Sequence, residues 1–195
     1  MVAALPTAPE EWREYLTEYS HAYFSGATED ELGALDEQQI AARWLGYEPA
    51  SEQMLAETEE RLGVLLPPSL RGFLLTSNGW TRVADWVERL CPCRDIEWFI
   101  ETDNGAAFFE GTRRFATADP DEQDYVELLR RGLTVACGEG DVWFLDTGKN
   151  AADGEYEGYH LVLNDGEIYD PYPTFSALFA SGRQEIEEGR AESNG

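Results

Sequence analysis

The first quarter of the chain carries apolar residues at the spacing of an amphipathic α-helix. Thr7, with Glu10 three residues later, has the pattern of a capping box, which predicts that a helix begins there. The large apolar positions that follow lie on one helical stripe: Trp12, Tyr15, Leu16, Tyr19 and Tyr23. Similar starts at Thr28 and Asp36 predict shorter acidic helices, and Pro49 ends this helical stretch.

Two more helices are predicted between residues 51 and 80. Ser51 caps the first helix and Gly63 ends it, while Pro68 stands at the start of the second, where a proline is tolerated. The inward positions are Met54, Leu55, Thr58 and Leu62 in the first helix, and Leu70, Phe73 and Leu74 in the second. The chain is therefore expected to be mainly helical up to this point.

Beyond residue 90 the pattern changes to that of β-strands. Arg94–Ile100 alternates apolar and polar positions, which predicts a half-buried strand, and residues 103–105 carry a turn signal. Ala106–Glu110 is then a candidate for the return strand of a hairpin. Val142–Leu145 is apolar on both faces, which is typical of a central strand.

A helix and a second hairpin follow in the last third of the chain. The helix is expected from Asp119 to Arg131, with acids in its first turn and bases in its last, as the helix dipole favours. Tyr159–Leu163 and Glu167–Asp170 flank the turn sequence Asn-Asp-Gly at 164–166, which is a strong hairpin signal.

The order of these elements predicts an α+β fold. Helices come first and antiparallel strands later, so we expect a single domain with N-terminal helices packed on a mostly antiparallel sheet. A short final helix is expected at Phe175, Leu178 and Phe179. Residues 183–195 are expected to be an acidic, frayed tail.

The net charge of the chain is −25, from 39 acidic and 14 basic side chains among 195 residues. With 43% hydrophobic and 12% aromatic residues the chain can still bury a core, so disorder does not explain this charge. Nucleic acids and anionic membranes are poor partners, because binding to either relies on Lys and Arg. A basic protein partner fits, although solvated acidic faces explain the same charge without a partner.

The N-terminal segment and the cysteines predict a cytoplasmic protein. The opening sequence MVAALPTAPEEW lacks the basic and apolar regions of a signal peptide, and no run approaches 18 apolar residues. Three cysteines, an odd number, do not make a disulfide framework, which fits a reducing compartment.

The sequence offers no recognisable catalytic or metal-binding constellation. His21 and His160 have no nucleophile that the pattern places beside them, which favours structural roles. Cys91 and Cys93 are closer than the usual zinc ligands, and no second pair follows. The stretch Asp146–Glu157 echoes a calcium loop but lacks its required glycine. We therefore expect no catalysis, no cofactor and no metal ion.

Two separated segments resemble the SUKH superfamily, the group that contains the Smi and Knr regulators of fungal cell-wall synthesis. In the first segment the matching residues are Glu59, Leu62, Gly63, Leu66, Pro67, Phe73, Leu74, Asn78 and Gly79. In the second they are Trp143, Phe144, Leu145, Asp146, Ile168, Tyr169, Asp170, Phe175 and Leu178. The resemblance implies a SUKH-like domain at 50–182, preceded by a helical extension at 1–49 that packs on the core and followed by the tail at 183–195.

Such a resemblance implies a binding protein rather than an enzyme. Bacterial members are commonly cytoplasmic immunity proteins that neutralise a polymorphic toxin, often a nuclease, and the fungal relatives act as signalling and scaffolding partners. Neither group supplies a set of catalytic residues that could be carried over to this chain.

The leading hypothesis is an immunity-type inhibitor, a monomer or weak dimer, whose acidic face docks stoichiometrically on a basic toxin. The candidate contact residues are acids on loops beside the sheet: Glu139, Asp141, Asp146, Asp153 and Glu155. Trp80 is a candidate apolar anchor if it is exposed, with burial in the core as the alternative. The remaining tryptophans on or near apolar faces are expected in the core: Trp12, Trp44, Trp86 and Trp98.

An alternative from another class is a regulatory scaffold or peptide-binding module with an endogenous protein partner. That function predicts an apolar groove and binding that depends little on salt. An enzyme would instead require a deep pocket with convergent polar groups and shifted pKa values.

Overall fold

The computed structural model describes residues 5–150, 152–169 and 171–193. Its helices are α1 (Pro9–Gly26), α2 (Glu29–Gly33), α3 (Glu37–Ala42), α4 (Glu52–Leu62), α5 (Pro68–Leu74), α6 (Asp103–Phe115), α7 (Pro120–Arg130) and α8 (Phe175–Ser193). Its strands are β1 (Trp80–Thr81), β2 (Arg89–Leu90), β3 (Glu97–Trp98), β4 (Gly132–Cys137), β5 (Asp141–Asn150), β6 (Tyr156–Val162) and β7 (Glu167–Ile168). The predicted α+β fold, a single domain with a mostly antiparallel sheet, is confirmed.

The early helices begin largely where their caps predict. The side chains of Thr28, Asp36 and Ser51 each accept a hydrogen bond from a backbone N–H in the first turn of α2, α3 and α4. The predicted capping box at Thr7 is wrong in detail. Instead, the carboxylate of Glu11 reaches back to the backbone N–H of Thr7, at 2.8 Å, and of Ala8, at 3.0 Å, so that it satisfies donors ahead of α1.

The strands form one antiparallel sheet in the order β1-β2-β4-β5-β6-β7, with β3 also paired to β4. The predicted central strand is confirmed, because β5 lies between β4 and β6. The hairpin predicted around 164–166 is confirmed as the β6–β7 connection, in which Leu161 pairs with Ile168. Gly166 has a φ of 75°, which a glycine adopts without strain. Residue 170, at the end of that predicted hairpin, lies outside the described residues.

Helices cover both faces of the sheet because β5 alternates between two cores. Trp143 and Leu145 point into the main core, while Val142 and Phe144 pack in a second core with residues of α6 and α7. This alternation explains why β5 is apolar on both faces. Helix α1 shares the main core through its fully buried Trp12, whose indole N–H donates to the carbonyl of Ser69 at 2.8 Å.

The segment before α7 differs from the predicted hairpin. Within 94–100 only Glu97–Trp98 is a strand, and the predicted return strand, Ala106–Glu110, lies inside α6. Thr102 explains the difference, because its hydroxyl accepts a hydrogen bond from the backbone N–H of Gly105 at 2.9 Å. The apparent turn at 103–105 is therefore the first turn of a capped helix.

The final helix predicted at Phe175, Leu178 and Phe179 is confirmed, but it is not short: α8 continues to Ser193, so the frayed tail predicted from residue 183 is wrong. Ile186 is buried, and Arg183 and Arg190 pack over aromatic rings of α1. The Arg190 guanidinium also lies 2.7 Å from the carboxylate of Glu31. These contacts attach the second half of α8 to α1 and α2. In the described part of the chain no helix combines the length and apolar character needed to cross a membrane.

Candidate partner-binding groove

An open groove of about 560 Å³ lies at one end of the sheet, and we call it the acidic groove. It is bounded by the loop before β2, the adjoining parts of β5 and β6, the β6–β7 turn and the middle of α8. Its lining residues are Asp85, Trp86, Asp141, His160, Val162, Asn164, Asp165, Glu167, Tyr169, Tyr172 and Glu185. Among the described residues, the lining thus contains five carboxylates, one histidine and neither Arg nor Lys.

The floor of the acidic groove is a buried pair on neighbouring strands. Asp141 of β5 and His160 of β6 are each 8% exposed, and Nε2 of His160 lies 2.6 Å from Oδ2 of Asp141. The His160 ring is also 5.0 Å from the Tyr169 ring, centroid to centroid. This pair fixes one carboxylate at the base while the other acids stand around it.

The acids around the groove act on one another electrostatically. Burial is the largest cause of the raised pKa of Glu185, and the charges of Asp85 and Asp141 raise it further. His160 acts in the opposite direction and lowers this pKa. The pKa of Tyr169 is raised chiefly by Glu167. Like charges at short range disfavour the ionised forms, so a cationic group entering the groove would relieve this repulsion.

Two exposed aromatic rings stand beside these acids. Trp86 is 73% exposed and Tyr169 is 45% exposed. The expectation that Trp86 lies in the core is therefore wrong. It lies in a tight loop, where the backbone N–H of Ala84 donates to the carbonyl of Val87 at 3.0 Å. A large aromatic residue held outward on such a loop is a typical interface anchor.

Gly138 allows this loop to approach the β4–β5 turn. A Cβ at position 138 would fall 1.9 Å from the carbonyl oxygen of Trp86, so a side chain cannot be placed there without moving the backbone. The turn also carries Glu139, which is exposed. The close approach therefore places one of the acids predicted from the sequence beside the groove.

The other candidate residues are distributed differently from the prediction. Trp80 is fully buried, which confirms the core alternative and removes it as an exposed anchor. Asp146 is also fully buried, and its carboxylate binds the guanidinium of Arg131 at 2.5 and 3.0 Å. Glu155 is buried and accepts hydrogen bonds from the backbone and hydroxyl of Ser69 at the start of α5.

The predicted acids therefore do not form one face. Only Glu139 and Asp153 are exposed, and they lie beyond opposite ends of β5, which is roughly 30 Å long for its ten residues. Asp141 is in the acidic groove but at its floor. The sequence prediction missed the other groove residues, because they come from segments that only the folded chain brings together: Asp85, Trp86, Asp165, Glu167 and Glu185.

A second groove, of about 720 Å³, lies between the N-terminal helices and β2; we call it the large groove. Its apolar surface includes Trp44, Tyr47 and Met54. Charges of both signs line it: Arg13, Arg89 and Arg94 with Asp36, Glu48 and Asp95. The large groove therefore does not have the uniformly negative electrostatic potential of the acidic groove.

The groove residues do not form a catalytic centre of a familiar kind. Within the described part of the chain, the lining of the acidic groove contains no serine, cysteine or lysine that the His160–Asp141 pair could activate. Among the residues that the structure describes, no three His, Cys, Asp or Glu side chains lie close enough to hold a metal ion. The acidic groove presents negative charge and exposed aromatic surface, which are features of a binding site.

Comparison with known proteins agrees with the fold. No curated protein matches the chain significantly. The model of the SMI1 / KNR4 family (SUKH-1) matches residues 49–181, which is about two-thirds of the chain. The match includes the whole sheet and the described lining of the acidic groove apart from Glu185. The capped helices α4 and α5 and the β5–β6–β7 meander that first suggested the superfamily all lie in the matched part, so the chain belongs to the SMI1/KNR4 family (SUKH-1).

Proposed function

We propose that this chain is an immunity-type protein that neutralises a toxin by binding it stoichiometrically in the cytoplasm, without catalysing a reaction. Membership of the SUKH family is consistent with this role and suggests a protein partner. The observation that carries the proposal is the acidic groove, where five carboxylates surround a cavity and an exposed Trp86 stands at its rim.

The chemistry of the groove selects a basic partner. A Lys or Arg side chain of the toxin would enter among the carboxylates and lie against the Trp86 or Tyr169 ring. Such a cation–π contact contributes about 0.5–2 kcal/mol, depending on how far water is excluded. A nuclease toxin fits this pattern, because the surface that holds phosphates is itself basic and would be covered by an acidic inhibitor.

The net charge of −25 contributes to the rate of binding. Opposite charges on two proteins steer their encounter, and association rates of about 10⁸ M⁻¹s⁻¹ are reached at low salt. Fast capture suits an inhibitor that has to act on a toxin before the toxin reaches its substrate. The chain is expected to do this as a monomer or weak dimer.

The test uses the toxin domain encoded beside the gene for this chain. Co-expression with the chain should restore growth of a bacterial host that the toxin domain alone kills. The combined variant Asp85→Asn, Trp86→Ala, Glu167→Gln should lose this protection while remaining folded. A matched control is Asp121→Asn, Asp153→Asn, Phe115→Ala, which makes the same kinds of change at exposed positions outside the groove.

Equal protection by the groove variant and the control would contradict the groove as the binding site. A neighbouring protein that is not toxic, or a toxic one that the chain does not bind, would contradict the immunity role itself. An association rate that stays constant between low and high salt would contradict electrostatic steering.

The alternative function is a scaffold or peptide-binding module with an endogenous partner, and the large groove favours it. Its volume and its Trp44, Tyr47 and Met54 suit an extended peptide. This alternative predicts weak salt dependence. It also predicts that Tyr47→Ala weakens binding of the partner, whereas Trp86→Ala leaves binding unchanged.

A further inference from the structure

Two of the three cysteines meet across the β2–β4 pair, on a face that also carries an arginine. Arg89 of β2 lies directly opposite Cys137 of β4 in the register. Cys91 follows β2, and its backbone N–H donates to the carbonyl of Val135 at 2.7 Å. Residues 89 and 91 are alternate positions along one strand, and Cys137 lies opposite Arg89, so the side chains at 89, 91 and 137 share one face of the β2–β4 pair.

The two thiols occupy unequal positions on this face. Cys91 is buried at 4% exposure, whereas Cys137 is partly exposed at the end of β4. The guanidinium of Arg89 lies on the solvent side, and Cys137 and Cys91 both interact with it. Only Cys137 combines access from solvent with a neighbouring cation and a neighbouring thiol donor.

The charged and titratable groups that act on Cys137 are Cys91, Arg89 and Glu88. A hydrogen bond from the Cys91 thiol is the main cause that lowers the pKa of Cys137, to about 6; Arg89 lowers it further, whereas burial and Glu88 raise it. The pKa of Cys91 is raised, because Cys91 keeps its proton to donate it and is buried. On the other side, β4 pairs Cys137 with the apolar Val142.

We propose that Cys137 is a thiol modification site that reacts with low-molecular-weight disulfides and other thiol-specific electrophiles, with Arg89 and Cys91 as positioning residues. In the reaction with a disulfide, the Cys137 thiolate attacks one sulfur. A Cys137–sulfur bond forms, the sulfur–sulfur bond of the reagent breaks, and the second half leaves as a thiolate. Two electrons move from the thiolate to the leaving group, so no further oxidant is needed.

This site is independent of the proposed function, because it involves neither groove acid nor Trp86. It separates the cysteines into one reactive and two inert thiols. Cys93 is 2% exposed and its pKa is raised by burial, so it should remain protonated and protected.

The test measures alkylation of the full, folded chain by iodoacetamide between pH 4.5 and 9.5, with each cysteine followed by peptide mass spectrometry. The readout is the pH at which the alkylation rate reaches half its maximum. The absolute rate is a poorer measure, because a thiolate of lower pKa is also a weaker nucleophile. Cys137 should have its midpoint near pH 6, about 2.5 pH units below an ordinary cysteine, and Cys91 and Cys93 should be labelled much more slowly. Oxidised glutathione at pH 7 should add one mixed disulfide, at Cys137.

Two substitutions distinguish the arrangement from simple exposure. Arg89→Gln should raise the Cys137 midpoint, whereas Arg94→Gln, which changes another exposed arginine lining the same large groove, should not. Cys91→Ala should raise the midpoint of Cys137 alkylation more than Arg89→Gln does. If the Cys91 variant does not fold, the Arg89 variant still tests the arrangement. A Cys137 midpoint at pH 8 or above in the native chain, or equal labelling of Cys93, would overturn the proposal.

Discussion

Nε2 of His160 lies 2.6 Å from Oδ2 of Asp141, and both side chains are almost completely buried below the acidic groove. The pair joins the two longest strands of the sheet at the point where the surrounding acids converge. Because Asp141 already has a hydrogen-bond partner inside the fold, the exposed acids and Trp86 are the groups available to contact a partner protein.

Because His160 is paired with Asp141, substitutions of the two histidines should differ in their effect on the free energy of unfolding. His160→Phe should lower the free energy of unfolding by about 1–3 kcal/mol, because it leaves a buried carboxylate without its hydrogen bond. His21→Phe, at an exposed position on α1, is the matched control and should change stability little. Urea denaturation followed by tryptophan fluorescence measures both, and equal effects would mean that the pair is structurally unimportant.

Trp86 should contribute to binding and not to folding. Its side chain is 73% exposed, so Trp86→Ala should shift the melting temperature by less than about 2 °C. Affinity for the cognate toxin domain should fall by about 2 kcal/mol, roughly thirtyfold, as expected for an aromatic anchor. Titration calorimetry measures this loss. Phe115→Ala, a change at a 79% exposed ring on α6, controls for general surface effects and should preserve affinity.

Glu185 should make stability depend on pH in a defined direction. Its pKa in the folded chain is raised by burial and by neighbouring acids, so the folded state binds more protons than the unfolded state above the ordinary value of 4.5. The free energy of unfolding therefore falls as the pH rises through that window. Glu185→Gln should flatten this fall and stabilise the chain modestly at pH 7, whereas Glu60→Gln, at an exposed position of α4, should leave the profile unchanged.

Thermal melts from pH 4.5 to 8 measure the contribution of Glu185. A variant profile parallel to that of the native chain would show that burial and the neighbouring acids do not raise the pKa of Glu185 enough to affect folding.

Glu155 and Asp153 are close in sequence but should behave differently. Glu155 accepts hydrogen bonds from the Ser69 backbone N–H, at 2.8 Å, and from its hydroxyl, at 2.6 Å. Glu155→Ala leaves both buried donors unsatisfied and should cost about 1–3 kcal/mol in the free energy of unfolding. Asp153→Ala removes an exposed acid whose carboxylate accepts only a long hydrogen bond, 3.2 Å from the Glu155 backbone N–H, and it should cost less than about 0.5 kcal/mol. Chemical denaturation compares the two, and a similar small cost for both would contradict the role of Glu155 at α5.

The helical half of the fold could be predicted because its signals are local. A cap such as Ser51 and the apolar stripe after it act within a few residues, and both the helix and its start are confirmed. The β6–β7 hairpin is equally local, since Gly166 sets its turn. The region of α6 failed because Thr102 and the residues after it fit either a turn or a helix start, and packing against the second core favours the helix.

The binding residues could be predicted only in part, because charge in the sequence does not say which acids are exposed. Asp146 and Glu155 look like ordinary loop acids until Arg131 and Ser69, distant in sequence, are placed beside them. The spacing of Arg183, Ile186 and Arg190 is typical of a helix. The stabilising contacts of the two arginines, however, depend on aromatic rings of α1 that only the fold places beside them.

The sequence by itself determined the family, the α+β class, most helix starts, the central strand and the strong negative charge. These depend on residue type and short-range spacing, which fix local conformation before any long-range contact forms. Only the tertiary structure decided which carboxylates are buried as hydrogen-bond acceptors and which surround a groove beside Trp86. That distinction arises because burial and electrostatic coupling depend on neighbours from separate segments, and only packing brings those segments together.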